Sequence, residues 1–201
     1  FTYEATQADG STSLHQVSLN VTPAAQDAGW GTGESHYMLE TDADDNIIVE
    51  TGEMHQKVYI SGSDNAWSIA EIAAQEGIST GAINGQWLAN SSYGGSEGMA
   101  LDSQAGMMLW KQITPENSDT SNWLLLENGY DYDLERILEA DANGEDELHP
   151  LYIGSYGEGE PANVTSYQMI FQESSSNVVF QNLEFSGEVF ILDAENLIFD
   201  N

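Results

Sequence analysis

A six-residue run that occurs twice at a fixed spacing constrains the fold of this chain more than any other feature. The run NVVFQN at residues 177–182 recurs as NLIFDN at residues 196–201, an offset of 19 residues at both ends. A short repeat of this kind is typical of coils that stack on one another. Asparagine side chains can then hydrogen-bond along the stack, and the phenylalanines can stack in the core. The predicted neighbours are Asn177 with Asn196, Asn182 with Asn201, and Phe180 with Phe199.

The charge balance excludes several classes of partner. The sequence has 34 Asp and Glu residues against three basic ones, Lys57, Lys111 and Arg136, and its formal net charge is −31. This charge repels nucleic-acid phosphates and anionic membranes, so neither is expected as a partner. Self-repulsion in the folded state must be screened by high ionic strength or by bound cations. We therefore expect a saline setting or a calcium-loaded one.

Cysteine usage bears on the compartment. The chain contains no cysteine, which excludes disulfides, thiolate zinc sites and thiol nucleophiles. Secreted bacterial proteins often have this composition, so we expect an extracellular or cell-surface location. No apolar run approaches transmembrane length. Both ends of the sequence read as strands, and we interpret the chain as a trimmed part of a longer protein.

The first residues have the pattern of a β-hairpin. Apolar residues alternate with polar ones at Phe1–Ala5 and again at Val17–Val21, and the turn formers Asp9 and Gly10 lie between. An isolated hairpin is marginally stable in water. We therefore expect these strands to pair with this domain, with an upstream repeat or with a neighbouring subunit.

Periodicity predicts further elements. The clearest is a helix at residues 65–76, which Asp64 or Asn65 can cap and which Gly77 can end. Residues 134–140 fit a short helix or a strand. The predicted strands are Lys57–Ile60, Gln86–Leu88, Gly106–Trp110, Trp123–Glu127 and Leu151–Ile153.

Three runs resemble a known family. They are VYISGSD at residues 58–64, LLLENGY at residues 124–130 and HPLYIGSYGEG at residues 149–159. With the coils that follow, they resemble the N-terminal part of secreted right-handed parallel β-helix proteins of the pectate-lyase-like superfamily, over residues 57–201. The sequence departs from that pattern in a long insertion at 78–122 and in Glu127, which replaces the usual lysine. The first 22 residues resemble the last two strands of cadherin-like or Ig-like repeats of bacterial surface proteins.

The resemblance implies a fold that is mainly β, a right-handed parallel β-helix with an N-terminal cap helix and a preceding β-hairpin. A parallel stack exposes backbone and core at its end, and the helix at 65–76 is the expected cap. Where such proteins are enzymes, their catalytic groups usually lie on later coils. The expected segments are a hairpin at 1–23, an acidic linker with short strands at 24–56, a cap region with a long insertion at 57–149, and the first coils at 150–201.

Two acidic segments are candidate calcium sites. In the first, oxygen-bearing side chains occupy positions 1, 3, 5 and 12 of a calcium loop, although Ile47 stands where glycine is expected. Its candidate ligands are Asp42, Asp44, Asn46 and Glu53. The second combines dense oxygens with the tight turn that Gly144 permits. Its candidate ligands are Asp141, Asn143 and Glu145. The alternative for both segments is a solvated acidic turn.

Two aromatic residues are candidates for carbohydrate binding. Trp87 and Tyr93 lie in a region rich in Gly, Ser and Asn, where an exposed ring could stack on a sugar; the alternative is packing against the rest of the protein. Paired carboxylates suit glycoside hydrolysis, but among 34 acids some pair always has the right separation. Lyases that act on uronates need a cationic group or calcium, so three basic residues argue against this class.

Two classes of function remain. The first is a structural, adhesive or self-assembling surface module, non-catalytic in this stretch, that pairs with itself or with adjacent repeats through its N-terminal hairpin and the open end of its coils. The second is the leading part of a polysaccharide-active enzyme (lyase, epimerase or glycoside hydrolase) or a carbohydrate-binding module. We favour the structural class.

Overall fold

The computed structural model describes the chain apart from several short segments and one longer stretch near the N-terminus. The residues outside the description are 1, 7–11, 17–39, 42–46, 50, 53–54, 135–136, 139–141, 147, 166–167, 172–174, 192–193 and 201. In the described part the chain is mainly β, with parallel sheets and three short α-helices.

Two antiparallel strand pairs come first in the chain. Strand β1 (Thr2–Thr6) pairs with β2 (Thr12–Gln16), and β3 (Glu40–Thr41) pairs with β4 (Ile47–Ile48). The hairpin is therefore present, but its second strand precedes the one that alternation suggested, because hairpin connections are usually short. The predicted strand Val17–Val21 lies outside the described residues. The two short strands expected before residue 57 are confirmed as β3 and β4.

Ten further strands in the described chain form three parallel sheets. In chain order they are β5 (Lys57–Ile60), β6 (Trp123–Glu127), β7 (Asp131–Tyr132), β8 (Leu151–Tyr156), β9 (Ala162–Val164), β10 (Gln168–Phe171), β11 (Ser175–Gln181), β12 (Leu183–Phe185), β13 (Glu188–Ile191) and β14 (Ala194–Asp200). The large sheet has the order β14-β11-β8-β6-β5, the second sheet has the order β12-β9-β7, and the third pairs β10 with β13. From β8 onward the chain visits the large, second and third sheets in rotation.

Strands of the large sheet bury apolar side chains on both faces. On one face, Leu124, Ile153 and Phe180 belong to the main core. On the other face, Leu125, Tyr152, Val179 and Ile198 form a second buried cluster, the outer cluster. Burying one such side chain contributes about 1.5–3 kcal/mol. Because both faces are buried, these strands read as nearly continuous apolar runs (LLL, LYI, VVF and LIF) and not as strict alternation.

Three helices lie between β5 and β6. They are α1 (Ile69–Glu76), α2 (Gly85–Ala89) and α3 (Ser103–Ile113), with 3-10 turns at Thr80–Ala82 and Glu97–Met99. Helix α1 confirms the predicted helix and its end at Gly77, which has φ 68°. The predicted caps Asp64 and Asn65 are wrong. Ser68 is the N-cap, and it forms a capping box with Glu71 that satisfies two backbone N–H groups.

The strand predictions at Gln86–Leu88 and Gly106–Trp110 are also wrong. Both segments are helical, because each follows a residue whose side chain caps a helix. The Asn84 Oδ1 atom accepts from Trp87 N at 2.9 Å, and the Asp102 Oδ1 atom accepts from Ala105 N at 2.7 Å. A short apolar run does not by itself distinguish a strand from a buried helix.

The segment around residues 94–101 closes the β5 edge of the large sheet. Tyr59 N donates to Gly94 O at 2.8 Å, Leu101 N donates to Tyr59 O at 2.9 Å, and Ser61 N donates to Leu101 O at 2.9 Å. Helix α3 lies against this strand so closely that a Cβ on Gly106 would overlap the Ile60 side chain. The long insertion therefore supplies the backbone groups that cap the sheet, a role that the sequence assigned to α1.

The remaining strand predictions are confirmed by β5, β6 and β8. In the segment predicted as a short helix or a strand, the described residues Leu134, Ile137 and Leu138 are buried but belong to neither. The backbone carbonyl of Ile137 accepts a hydrogen bond from Trp110 Nε1 at 2.6 Å, which ties this segment to α3 inside the core.

Candidate functional site

The two copies of the repeat form adjacent parallel strands at the end of the large sheet. Strands β11 and β14 pair in the register that a 19-residue offset requires, with Phe180 opposite Phe199. Asn196 Nδ2 donates a hydrogen bond to Asn177 Oδ1 at 2.9 Å. The predicted asparagine ladder is therefore confirmed at this pair. Asn201, the predicted neighbour of Asn182, lies outside the described residues.

The ladder asparagines also shape the backbone. Asn177, Asn182 and Asn196 have φ values of 55°, 54° and 51°, in the left-handed region that asparagine tolerates better than most residues. Asn177 and Asn196 each interrupt the pairing of β11 with β14, and Asn182 connects β11 to β12. The sequence predicted the hydrogen bond between these asparagines but not their left-handed backbone. The recurrence of asparagine on both sides of an apolar run could have indicated it.

Phenylalanine rings fill the space beside the ladder. The rings of Phe180 and Phe199 stack with centroids 4.9 Å apart and planes inclined by 9°, as predicted. Phe185 of β12 meets both rings edge-on, at 5.8 Å and 5.7 Å. Phe180 is 1% exposed, whereas Phe199 is 43% exposed. A cavity of about 310 Å³ opens beside the rings; it is lined by Phe180, Leu183, Glu184, Phe185, Phe199 and Asp200.

A chain of polar side chains crosses the outer face of the same strands. The Tyr152 hydroxyl donates to Gln181 Oε1 at 2.8 Å, and Gln181 Nε2 donates to Asp200 Oδ2 at 3.0 Å. Burial, with a smaller contribution from the Asp200 carboxylate, raises the pKa of Tyr152 to about 12. Tyr152 therefore stays protonated at neutral pH and acts as a donor, which fits a structural hydrogen-bond network.

Only some of the candidate calcium ligands lie among the described residues. Asp42, Asp44, Asn46, Glu53 and Asp141 lie outside the described residues. Asn143 connects chain segments: its Oδ1 atom accepts from Ser176 N at 2.8 Å, and its Nδ2 atom donates to Asp119 Oδ1 at 3.3 Å. Glu145 is exposed, and its backbone N–H donates to His149 O at 3.0 Å.

The turn that follows Glu145 is held by Asp146. The Asp146 Oδ1 atom accepts from Leu148 N at 2.8 Å and from His149 N at 2.9 Å, and it lies 2.8 Å from His149 Nδ1. Together with residues of β11 and β14, this turn lines an open groove of about 500 Å³. In the described part of the chain, no three His, Asp or Glu side chains are arranged to hold a metal ion. The calcium sites stay predictions.

The two candidate carbohydrate-binding residues are brought together. The rings of Trp87 and Tyr93 stack at 6.0 Å, and Trp67 meets Tyr93 edge-on at 5.3 Å. Tyr93 is buried, and its hydroxyl donates to Glu76 Oε1 at 2.8 Å. Trp87 is half-buried against the main core. The packing alternative accounts for the contacts of Tyr93, whose ring has no exposed face for a sugar.

The described residues just before β5, namely 49, 51–52 and 55–56, are called the strap here, and they contact the outer cluster and the segment that leads into β6. Val49 packs against the outer cluster. Gly52 N donates to Ser121 Oγ at 2.9 Å, and Gln56 N donates to Asn122 Oδ1 at 2.8 Å. These contacts fasten the strap to the segment that leads into β6, so the described chain itself occupies part of this sheet face.

His55 lies at the centre of this attachment. Its Nδ1 atom lies 2.7 Å from the Ser121 carbonyl oxygen, which can only accept, so Nδ1 carries the proton. The ring meets Trp123 edge-on at 5.0 Å, and Lys57 Nζ lies 4.2 Å from the Trp123 ring centroid. Burial lowers the pKa of His55, with a smaller contribution from Lys57, against the opposing effect of the Ser121 hydrogen bond. His55 Nε2 is buried without a hydrogen-bond partner among the described residues.

Comparisons with protein-family models, with curated proteins and with solved structures found no match to this chain. Within the described residues, no helix has both the length and the apolar character needed to cross a bilayer.

Proposed function

We propose that this chain is the capped beginning of a right-handed parallel β-helix, and that it serves as a non-catalytic structural module of an extracellular or cell-surface protein. The observation that carries the proposal is the contrast between the two edge strands of the large sheet. Strand β5 is hydrogen-bonded to the segment at 94–101, whereas β14 lies at the other edge of the described sheet beside the partly exposed Phe199. A stack with one closed end can add strands at the other end.

The path of the chain supports the β-helix. Strands β8, β9 and β10 lie in three different sheets, and β11, β12 and β13 return to the same three sheets in the same order. All these pairings are parallel. Right-handed winding is part of the proposal, because crossovers between parallel strands are right-handed in nearly all proteins.

The use of polar side chains supports a structural role. Tyr152, Gln181 and Asp200 form a chain of hydrogen bonds that is buried at Tyr152 and partly buried at Asp200. The Tyr132 hydroxyl donates to Glu127 O at 2.9 Å and accepts from Gly62 N at 3.1 Å, which ties a corner of the fold together. On the outer face of the large sheet Val179 is fully buried, so this part of the face is not an open platform for a polymeric substrate.

The N-terminal pair β1–β2 supports a role in assembly. Within the described residues these strands pair with each other alone, and a two-stranded ribbon needs further partners for stability. We propose that it joins an adjacent repeat or a neighbouring subunit by strand addition. The charge of −31 favours a saline medium or bound calcium, and the acidic turns are the proposed calcium ligands.

The experiment combines a test of turnover with a test of particle size. The purified chain is incubated with neutral, uronic and sulfated polysaccharides, and reducing ends and unsaturated products are followed over time. We expect no turnover above the heat-denatured control; turnover of any polysaccharide overturns the non-catalytic role. Light scattering and negative-stain microscopy in calcium and in chelator then measure size and compactness. Ordered assemblies support strand addition through β1–β2, and loss of compactness in chelator supports calcium sites in the acidic turns.

A further inference from the structure

Residues 77–96, which include helix α2, differ from the rest of the chain in charge. They contain no Asp, Glu, Lys, Arg or His, and every other run without these residues is shorter. Their surface includes Ile78, which is 37% exposed, and the half-buried Trp87. In a protein with a formal charge of −31, carboxylates hydrate most of the surface. This surface has none, so its hydration depends on neutral polar groups.

The same run contains an acceptor sequence for N-linked glycosylation, Asn-x-Ser/Thr, as NSS at residues 90–92. We propose that Asn90 carries an oligosaccharide on its Nδ2 atom and that the first sugar lies against Trp87. The inference rests on the proposed extracellular or cell-surface location, and it adds a covalent modification to the proposed structural function.

The modification is a group transfer from a lipid-linked oligosaccharide. The bond between C1 of the first sugar and the pyrophosphate of the lipid breaks, and a bond between C1 and Asn90 Nδ2 forms. The amide loses one proton, and the lipid pyrophosphate leaves as an anion. Nothing is oxidised or reduced, so the lipid-linked donor is the one co-substrate that the step requires.

Asn90 lies where the folded chain accommodates this group. It is the exposed C-cap residue of α2, with φ −100° and ψ 8°, and Ser92 is exposed as well. Asn90 Nδ2 donates to Gln86 O at 2.7 Å. An amide nitrogen has two hydrogens, so a sugar that replaces one of them leaves the other for this hydrogen bond. Glycosylation of Asn90 therefore costs the helix no hydrogen bond.

Trp87 lies one helical turn before Asn90, and residues with this spacing are neighbours on a helix surface. The Trp87 ring is stacked with Tyr93 at 6.0 Å and packs against the main core, while part of it stays open to solvent. A large aromatic ring offers apolar area to the face of a sugar. Because the ring is already held in place, the contact costs little further side-chain ordering.

The second described acceptor sequence, NVT at residues 163–165, is held differently. Asn163 lies in β9, which is the middle strand of the order β12-β9-β7. Its Nδ2 atom donates to Asp131 Oδ1 at 2.8 Å, and its Oδ1 atom accepts from Ser186 Oγ at 2.8 Å. Neighbouring strands are about 4.8 Å apart, so a sugar here would displace side chains on both sides. We therefore expect Asn163 to stay unmodified. The third acceptor, Asn20, lies outside the described residues.

Mass spectrometry of the protein from the cells that produce it tests the proposal. Proteolysis after glutamate releases residues 77–97 and 161–173 as separate peptides, each with one acceptor sequence. The same peptides from a host without an N-glycosylation pathway are the unmodified references. We expect peptide 77–97 to carry an oligosaccharide that fragmentation places on Asn90, and we expect peptide 161–173 to match its reference.

The location of the protein separates this inference from the proposed function. On protein recovered from the cell surface or the medium, an unmodified Asn90 overturns the inference and leaves the structural function intact. A glycan on Asn163 with Asn90 unmodified does the same. Protein that is confined to the cell interior, with Asn90 unmodified, overturns both the proposed location and the inference.

Two variants at Ser92 test whether the transfer depends on the acceptor sequence. Ser92→Ala removes the hydroxyl that the transfer needs and keeps Asn90, whereas Ser92→Thr keeps a hydroxyl. Because Ser92 is exposed, both chains should fold. We expect the first variant to lose the glycan and the second to retain it. A glycan that persists in Ser92→Ala overturns N-linked transfer at this sequence.

Melting temperatures of the glycosylated and unglycosylated forms test the contact with Trp87. In the native sequence we expect the glycan to raise the melting temperature by about 2–4 °C. In Trp87→Ala the glycan should have no such effect. Each comparison is made within one sequence, so a general destabilisation by the substitution cancels. An equal rise in both sequences, or a rise in neither, overturns the placement of the sugar against Trp87.

Discussion

The two edge strands of the large sheet, β5 and β14, are held by different kinds of contact. At the β5 edge, residues 94–101 and helix α3 supply hydrogen bonds and packing that occur once in the described chain. At the β14 edge, the contacts are those between the two copies of a short repeat, Asn196 with Asn177 and Phe199 with Phe180. The β5 edge depends on a particular tertiary arrangement, whereas the β14 edge depends on a short local pattern.

This difference has an energetic consequence. A repeated interface contributes nearly the same stability for each added strand, so a stack can grow one coil at a time. A cap stabilises the sheet only if it covers the whole edge strand, because a half-covered edge leaves polar backbone groups unsatisfied in the core. We therefore expect substitutions at the cap to act through steric fit, and substitutions in the paired repeats to depend on how far each side chain is buried.

The largest effect is expected from removing a ring of the stack. Phe180→Ala should destabilise the protein by about 3–5 kcal/mol, because it leaves a cavity in a buried site. Phe199→Ala removes the same atoms from a residue that is 43% exposed, so we expect about half that loss or less. Urea unfolding followed by circular dichroism measures both. Equal losses for the two variants would mean that the β14 edge is covered in solution.

The next effect contrasts two glycines. Gly106→Ala places a Cβ into the Ile60 side chain, and overpacking of this kind costs about 1–3 kcal/mol. Gly81→Ala is the matched control, since nothing lies within 4 Å of its Cβ position. There we expect no change or a gain of about 0.4–1 kcal/mol from the reduced freedom of the unfolded chain. Destabilisation of similar size at both positions in urea unfolding would contradict the close packing of α3 on β5.

A smaller effect is expected at the ladder. Asn177→Ala removes the acceptor for Asn196 and places alanine at φ 55°, so we expect a loss of about 1–2 kcal/mol. Asn177→Gly removes the same acceptor but adopts that φ without strain, and it should cost less. The difference between the two variants in thermal unfolding measures the backbone contribution. If glycine costs as much as alanine, the amide bond carries the stability and the left-handed backbone does not.

The sequence predicted the repeating part of the fold better than the cap. Apolar runs such as VVF and LIF indicate strands because both faces of the large sheet are buried, and the 19-residue offset defines their register. The cap could not be derived in this way, since its contacts to Tyr59 come from Gly94 and Leu101, far away in the chain. The helices α2 and α3 were missed although Asn84 and Asp102 are ordinary N-cap residues.

In the candidate site too, the contacts within the repeat could be predicted from the sequence, and the other contacts could not. The stack of Phe180 on Phe199 and the pairing of Asn177 with Asn196 follow from the repeat alone. The burial of Tyr93 does not, because it depends on Trp67 and Trp87 packing around the ring, which sequence spacing does not show. The strap was likewise not visible in the sequence. Its attachment depends on single hydrogen bonds between segments that are distant in the chain.

The smallest effect is expected at the strap, a third region besides the two edges of the large sheet. The pKa of His55 is lowered in the folded protein from its ordinary value of 6.5, so below that pH the unfolded chain binds more protons than the folded one. The contribution of neutral His55 to stability is therefore complete above pH 6.5 and decreases as the pH falls below it. Thermal unfolding of the native chain and of His55→Gln between pH 5 and 8 isolates this contribution, since the many carboxylates titrate in both proteins. We expect the difference in melting temperature between the two to decrease toward pH 5, as a charge forms on a buried ring beside Lys57. A difference that is constant with pH would mean that His55 is as accessible to water in the folded protein as in the unfolded chain, and that the strap is not fastened at this residue.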